Sequence, residues 1–251
     1  MIFSYKHRFI FIKGRKVGGT SIEMALSPCC GPQDIITPIS PVDELKRLSL
    51  GGQPRNFSRK DGVEAEYLAL VKAGNIEAAI KTRVHSDTAY PFFNHMSLGR
   101  LESLLDPPSQ DYTLVYNVRN PYAKIISLAN MYISFHQYSG KPMEHALQDI
   151  KKSAANLFDT GRYLLARNHS LYATTRPYKA RIILRQEQLA TDFQNLQHQL
   201  KLGAIAADIP HAKQGSVRMG YHPRDVFTRA QLDTINTDFA AEFQAHGYAR
   251  I

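Results

Sequence analysis

"FIFIKGRKVGGTSIEMAL", residues 9–26, runs from four apolar strand formers, through a turn holding three glycines and three cations, into a helix-like stretch. Residues 9–12 are short, apolar and rich in β formers, and residues 20–26 can follow as a helix, so the stretch predicts strand, turn, helix. Lys13, Arg15 and Lys16 are crowded into the same turn as Gly14, Gly18 and Gly19. An anion explains that crowding, because glycine backbone N–H groups and the positive end of a following helix cradle negative charge.

Two more units of the same kind follow. "YTLVYNVR", residues 112–119, reads as a buried strand; Asn120 then caps a helix opened by Pro121, since proline suits a first helical turn. That helix has an apolar stripe at Ile125, Ile126, Ala129, Tyr132 and Ile133. "ARIILR", residues 180–185, precedes a helix with Leu189, Phe193, Leu196 and Leu200 on one face. A final helix starts at Thr228, which forms a capping box with Gln231, and buries Leu232, Ile235, Phe239 and Phe243.

Strands alternating with helices predict an α/β fold: a P-loop-like, three-layer arrangement with a central, mainly parallel sheet and helices on both faces. The chain has 251 residues and 43% hydrophobic content, which suits one domain over 1–251. Residues 28–61 and 82–95 are rich in Pro, Gly, Ser and Asn, with a helical stretch over 63–80 between them. Insertions around 28–95 are therefore expected to form part of a cleft for an acceptor.

The net charge of +9 favours polyanionic ligands such as nucleotide phosphates, nucleic acid or acidic glycans. Cys29 and Cys30 are the only cysteines, so neither a disulfide framework nor a structural zinc pair is expected. The basic N-terminus lacks the h-region of a signal peptide, and no apolar run approaches the roughly 18 residues of a membrane helix. The expected location is cytoplasmic, with no membrane partner.

Gly14, Gly19 and Ser21 fall where a GxxxxGK[ST] loop has its glycines and hydroxyl, but position 20 is Thr rather than Lys. The nearest cation inside the loop is Lys16. A triphosphatase also wants a strand-end carboxylate for magnesium, and residues 112–119 offer Asn117 and Arg119 instead. Between Met1 and Asp34 the only acid is Glu23, which by position lies inside the first helix. The turn is thus expected to hold an anion without a metal. In "VRNPYAKIISLANMY", residues 118–132, Arg119 at the strand end and Ser127 in the helix have the chemistry to grip a second phosphate.

Together the two elements resemble the sulfotransferases that use 3′-phosphoadenosine 5′-phosphosulfate (PAPS), particularly the carbohydrate-type family related to heparan and chondroitin sulfotransferases and its bacterial members. Where that family has a "PKTGGTS"-like loop for the 5′-phosphosulfate, this chain reads "RKVGGTS"; where it has an "RNPYxRxxSxY"-like segment for the 3′-phosphate, this chain reads "RNPYAKIISLANMY". "FNHMSLGRLESLL", "LRQEQLATDFQNL", "IPHAKQG" and "AEFQAHGY" resemble further family segments in the same order. Arg15, Val17 and Lys124 stand where the family has proline, threonine and arginine.

The resemblance implies in-line, metal-independent transfer of a sulfuryl group from PAPS to a hydroxyl of a sugar or small-molecule acceptor, leaving 3′-phosphoadenosine 5′-phosphate (PAP). It implies a donor site of Arg15, Lys16, Val17, Gly18, Gly19, Thr20 and Ser21 with Arg119, Ser127 and Lys213. Lys16 would neutralise the leaving phosphate, and Ser216 would share a closing loop with Lys213. The base is expected to be His95, in "FNHM", or else His85, because histidine titrates nearest neutral pH. The rivals are an ATP-dependent nucleotide kinase and a basic nucleic-acid-binding module. Magnesium-dependent ATP turnover would mark the first, and salt-sensitive binding of generic DNA or RNA the second.

Overall fold

The structure is a computed structural model that describes residues 1–84, 91–133, 143–203, 209 and 221–251. In chain order the elements are β1 (Ile2–Ser4), β2 (Phe9–Ile12), α1 (Gly19–Leu26), β3 (Ile35–Ile36), α2 (Pro41–Ser49), α3 (Val63–Lys72), α4 (Ile76–Val84), α5 (Leu98–Leu105) and β4 (Thr113–Val118). They continue with α6 (Pro121–Tyr132), α7 (Met143–Asp159), β5 (Ala180–Arg185), α8 (Leu189–Leu200), α9 (Pro223–Val226), α10 (Arg229–Asp238) and α11 (Ala240–His246). The chain divides into two compact units: residues 1–14, 18–117 and 171–212 form the first, and residues 15–17, 118–170 and 213–251 the second.

The first unit is α/β, with a five-stranded mixed sheet in the order β3-β1-β2-β4-β5. Its centre is parallel, β2 against β4 with Phe9 opposite Thr113 and Ile12 opposite Tyr116, whereas β1 runs antiparallel to both β2 and β3. Side chains alternate along β2. Phe9 and Phe11 join Ile2, Val115 and Leu184 in a core closed by Ile22, Ala25 and Leu26 of α1 and by Phe193 and Leu196 of α8. Ile10 and Ile12 are also fully buried, so neither face of this strand meets water. Because β2 and β4 are parallel, they end at the same edge of the sheet, where open α/β sheets place their ligands.

Residues 28–61, expected to be irregular, contain β3 and the helix α2. Ser40 caps α2 by accepting from the Asp43 N–H, and Pro41 opens it. A buried pair between Glu44 and Arg47 holds its inner face, the guanidinium also donating to the Thr37 carbonyl at 3.3 Å. The stretch over 63–80 is two helices, interrupted where Gly74 takes a left-handed φ of 72°.

The second unit is helical. Asn120 caps α6 by accepting from the Tyr122 and Ala123 N–H groups, with Pro121 in the first turn. Ile125, Ala129 and Ile133 enter a core with Leu157 of α7, Leu232 and Ile235 of α10 and Phe243 of α11. Tyr132 differs from its expected place in the stripe: it is 47% exposed, with the Arg162 guanidinium 5.9 Å from its ring centre. Tyr122 and Leu128 are buried in that core instead. The capping box at Thr228 and Gln231 is present, but the final helix is two, because Phe239 leaves helical geometry at φ −105° and ψ 15°. Among the described residues no helix is long and apolar enough to cross a membrane.

Candidate functional site

The three cations of the opening turn do not share one environment: Lys13 is buried, whereas Arg15 and Lys16 are half-buried. Lys13 follows β2 directly and is buried, its Nζ donating to Glu23 Oε2 at 2.6 Å. Glu23 sits on α1 with 0% side-chain exposure and also accepts from the Met1 ammonium through Oε1. Burial by itself would raise the Glu23 carboxyl, but Lys13, then the Met1 ammonium and Arg47, hold it down to about 2. Burial lowers the Lys13 ammonium in turn, with Glu23 opposing that shift. Lys13 is therefore committed to an internal ion pair.

The glycines beside it are filled from within the same unit. Gly18, with φ 79°, precedes α1, and a Cβ there would lie 2.0 Å from Gln186 Oε1. A Cβ on Gly19 would lie 2.6 Å from Lys13 Cγ. Gly19 thus requires glycine on packing grounds and Gly18 for its left-handed φ, whatever the turn binds. Thr20 and Ser21 stand in the first turn of α1, each half-buried, and the Ser21 N–H donates to the Gly18 carbonyl at 3.2 Å.

His95 belongs to this unit as well. It precedes α5 in a left-handed backbone, φ 60°, and its Nδ1 lies 3.1 Å from the Lys13 carbonyl. A carbonyl only accepts, so Nδ1 carries the hydrogen and Nε2 keeps the lone pair that a general base needs. Burial, and after it the Lys13 charge, lowers the imidazole to about 3, with the carbonyl hydrogen bond opposing. The ring is neutral across the physiological range.

That shift has a consequence for stability. The unfolded chain protonates His95 near the ordinary imidazole value of 6.5 and the native state only near 3, so between those values the unfolded state binds more protons and stability falls as the pH falls. His95→Asn, which tolerates the left-handed backbone, is expected to lose less stability than the parent on going from about pH 7.5 to about pH 5. Urea midpoints at the two values measure this. Equal slopes for parent and variant would mean that the ring is not held neutral.

The second unit contains Arg15, Lys16 and Val17. Val17 is buried at 1% exposure, Arg15 and Lys16 are half-buried, and Lys16 has a left-handed φ of 61°. A non-glycine residue held there is strained. The backbone on either side is tied down. The Arg15 N–H donates to Asn168 Oδ1 at 2.8 Å, and Asn168 Nδ2 donates to the Arg15 carbonyl at 2.9 Å. The Lys16 carbonyl accepts from Arg119 Nη1 at 3.4 Å.

Arg119 is half-buried just beyond the end of β4, and Ser127 is half-buried on α6. Lys124, on the same helix, is committed to an internal pair. It is fully buried, paired with Glu242 Oε2, donating to the Ala166 carbonyl at 2.8 Å and lying 5.0 Å from the Phe239 ring centre. Burial lowers its ammonium, with Glu242 opposing. Glu242 Oε1 in turn accepts from the Asn168 N–H at 2.7 Å.

His85, Lys213 and Ser216 lie outside the described residues. Asn168 carried no motif in the sequence, and only its two bonds to Arg15, 153 positions away, reveal it. Among the described residues no group of three or more His, Cys, Asp or Glu side chains could hold a metal ion. Comparison of the chain with protein-family models, with curated proteins and with solved structures finds no match in any of the three.

Proposed function

We propose that the chain is a PAPS-dependent sulfotransferase of P-loop-like fold that sulfates a hydroxyl of a sugar or small-molecule acceptor. One observation carries most of the support: Arg119, from the segment assigned to the 3′-phosphate, donates to the backbone of Lys16, from the turn assigned to the 5′-phosphosulfate, across 103 positions of sequence. Both belong to one compact unit. The parallel β2 and β4 that lead to these segments add support, since a P-loop-like sheet requires that order.

In this reading PAPS supplies an activated sulfuryl group, and the chain supplies the rest. The N–H groups of Gly18, Gly19 and Thr20 and the Thr20 and Ser21 hydroxyls hold the 5′-phosphate. Lys16 neutralises the charge that develops there. Arg119 and Ser127 hold the 3′-phosphate, with Lys213 as a further cation for the donor. His95 Nε2 is the first candidate to take the acceptor proton, with burial and the Lys13 charge opposing protonation of the ring; His85 is the second candidate.

Titration calorimetry with PAP, without added metal, tests the donor site. PAP is expected to bind with one site per chain and at least about tenfold more tightly than AMP, because the 3′-phosphate adds charge-assisted hydrogen bonds. No heat with PAP, or equal affinity for AMP, would end the proposal. ATP hydrolysis that requires magnesium would replace it with the kinase reading.

A further inference from the structure

Arg15 is held by a single side chain at both of its backbone polar groups. Asn168, 1% exposed, accepts from its N–H and donates to its carbonyl, as a neighbouring β-strand would. Only one orientation of the amide satisfies both bonds, so the two peptide planes flanking Arg15 are fixed together. The next residue is Lys16 in its left-handed conformation. Such a backbone persists only where the surroundings over-determine it.

Asn168 is itself fixed from behind. Its N–H donates to Glu242 at 2.7 Å, and Glu242 is paired with the buried Lys124. A continuous buried chain of polar contacts thus runs from α6 and α11 to the backbone before Lys16, all within one unit. We propose that Asn168 is a positioning residue that sets the conformation of the Lys16 turn, and that the Lys124–Glu242 pair keeps it in register. The inference rests on the function proposed above for its effect on ligand binding, but not for its effect on the turn.

Three variants of the full chain test it by two readouts, PAP affinity and hydrogen exchange of the 15–17 amides. Asn168→Ala removes both bonds. It is expected to weaken PAP binding roughly tenfold and to speed exchange at Arg15 in the ligand-free protein. Asn168→Asp keeps the volume and the acceptor for the Arg15 N–H but sets an oxygen against the Arg15 carbonyl. It is expected to weaken PAP binding with the Arg15 amide still protected, a split that a generally loosened fold would not produce. Glu242→Gln, which retains an acceptor for the Asn168 N–H but removes the charge facing Lys124, is expected to speed exchange at Arg15 severalfold, and parental exchange there would remove the pair from the proposal.

Folded Asn168→Ala with parental exchange at residues 15–17 overturns the inference, as does parental PAP affinity in both Asn168 variants. If the parent itself binds no PAP, the proposed function fails, and the exchange readout alone decides whether Asn168 sets the turn.

Discussion

Lys16→Ala is expected to lower sulfuryl transfer by roughly 10²–10³-fold, the usual loss when one preorganised donor to developing charge is removed. PAP affinity should change far less, since backbone N–H groups carry much of the ground-state grip. Initial rates with a verified acceptor, alongside calorimetry with PAP, separate the two effects. Turnover within a few-fold of the parent would dismiss the leaving-group role. Lys16→Gly belongs in the same experiment. It removes the amine and relieves a left-handed residue, so it should be as inactive as the alanine variant yet more stable by about 1 kcal/mol. Equal stability of the two variants would mean that the φ of 61° carries no strain.

The second large effect is on stability. Glu23→Ala leaves the buried Lys13 and Met1 ammonium groups without their shared counter-charge, and breaking a buried pair from one side costs about 3–5 kcal/mol. Urea unfolding near neutral pH should show that loss. Replacing both side chains, Lys13→Met with Glu23→Leu, is expected to recover only part of it, because the two apolar side chains need no pairing while the buried Met1 ammonium still loses Glu23. A loss under about 1 kcal/mol for Glu23→Ala would show that Lys13 finds water or another partner when Glu23 is gone. Acid titration has a defined direction too: Glu23, held down to about 2, contributes stability that is complete above its unfolded value of 4.5 and is lost as the pH falls towards 2.

The elements legible in the sequence were those with a local cause. Residues 9–12 and 180–185 are strands with those bounds, and Asn120 with Pro121 starts α6, because cap chemistry and side-chain period act over a few residues. The helix α2 was missed within a Pro-rich stretch even though Ser40 and Pro41 are a good start signal. β1 and β3, of three and two residues, are too short to carry a periodic pattern, and they exist through pairing with distant partners.

At the site, the turn, Arg119 and His95 could be singled out by motif, but their partners could not. Lys13 looked like one of three equivalent cations until Glu23 was found beneath it. Gly18 and Gly19 could be read for their backbone N–H groups, but not for the room that the absent Gly19 side chain leaves to the Lys13 stem. Lys124 stands where the resembled family has an arginine, and its compact ammonium over Phe239 and against Glu242 is an interior pairing. Asn168 had no signal at all, since its role consists of two bonds to a backbone 153 residues away.

The buried ion pairs bear on how the molecule behaves in a mixture. Lys13 with Glu23, Arg47 with Glu44 and Lys124 with Glu242 cancel one for one, so none of the formal +9 is neutralised by them. The whole excess is carried by the remaining side chains, and the chain meets its surroundings as a polycation. Heparin-like or nucleic-acid contaminants will adhere to it at low ionic strength and be shed as salt rises. Passage over an anion exchanger, at salt high enough to release the protein from a polyanion that the resin still retains, therefore has to precede any nucleotide titration, because a carried-over polyanion would imitate a weak donor site.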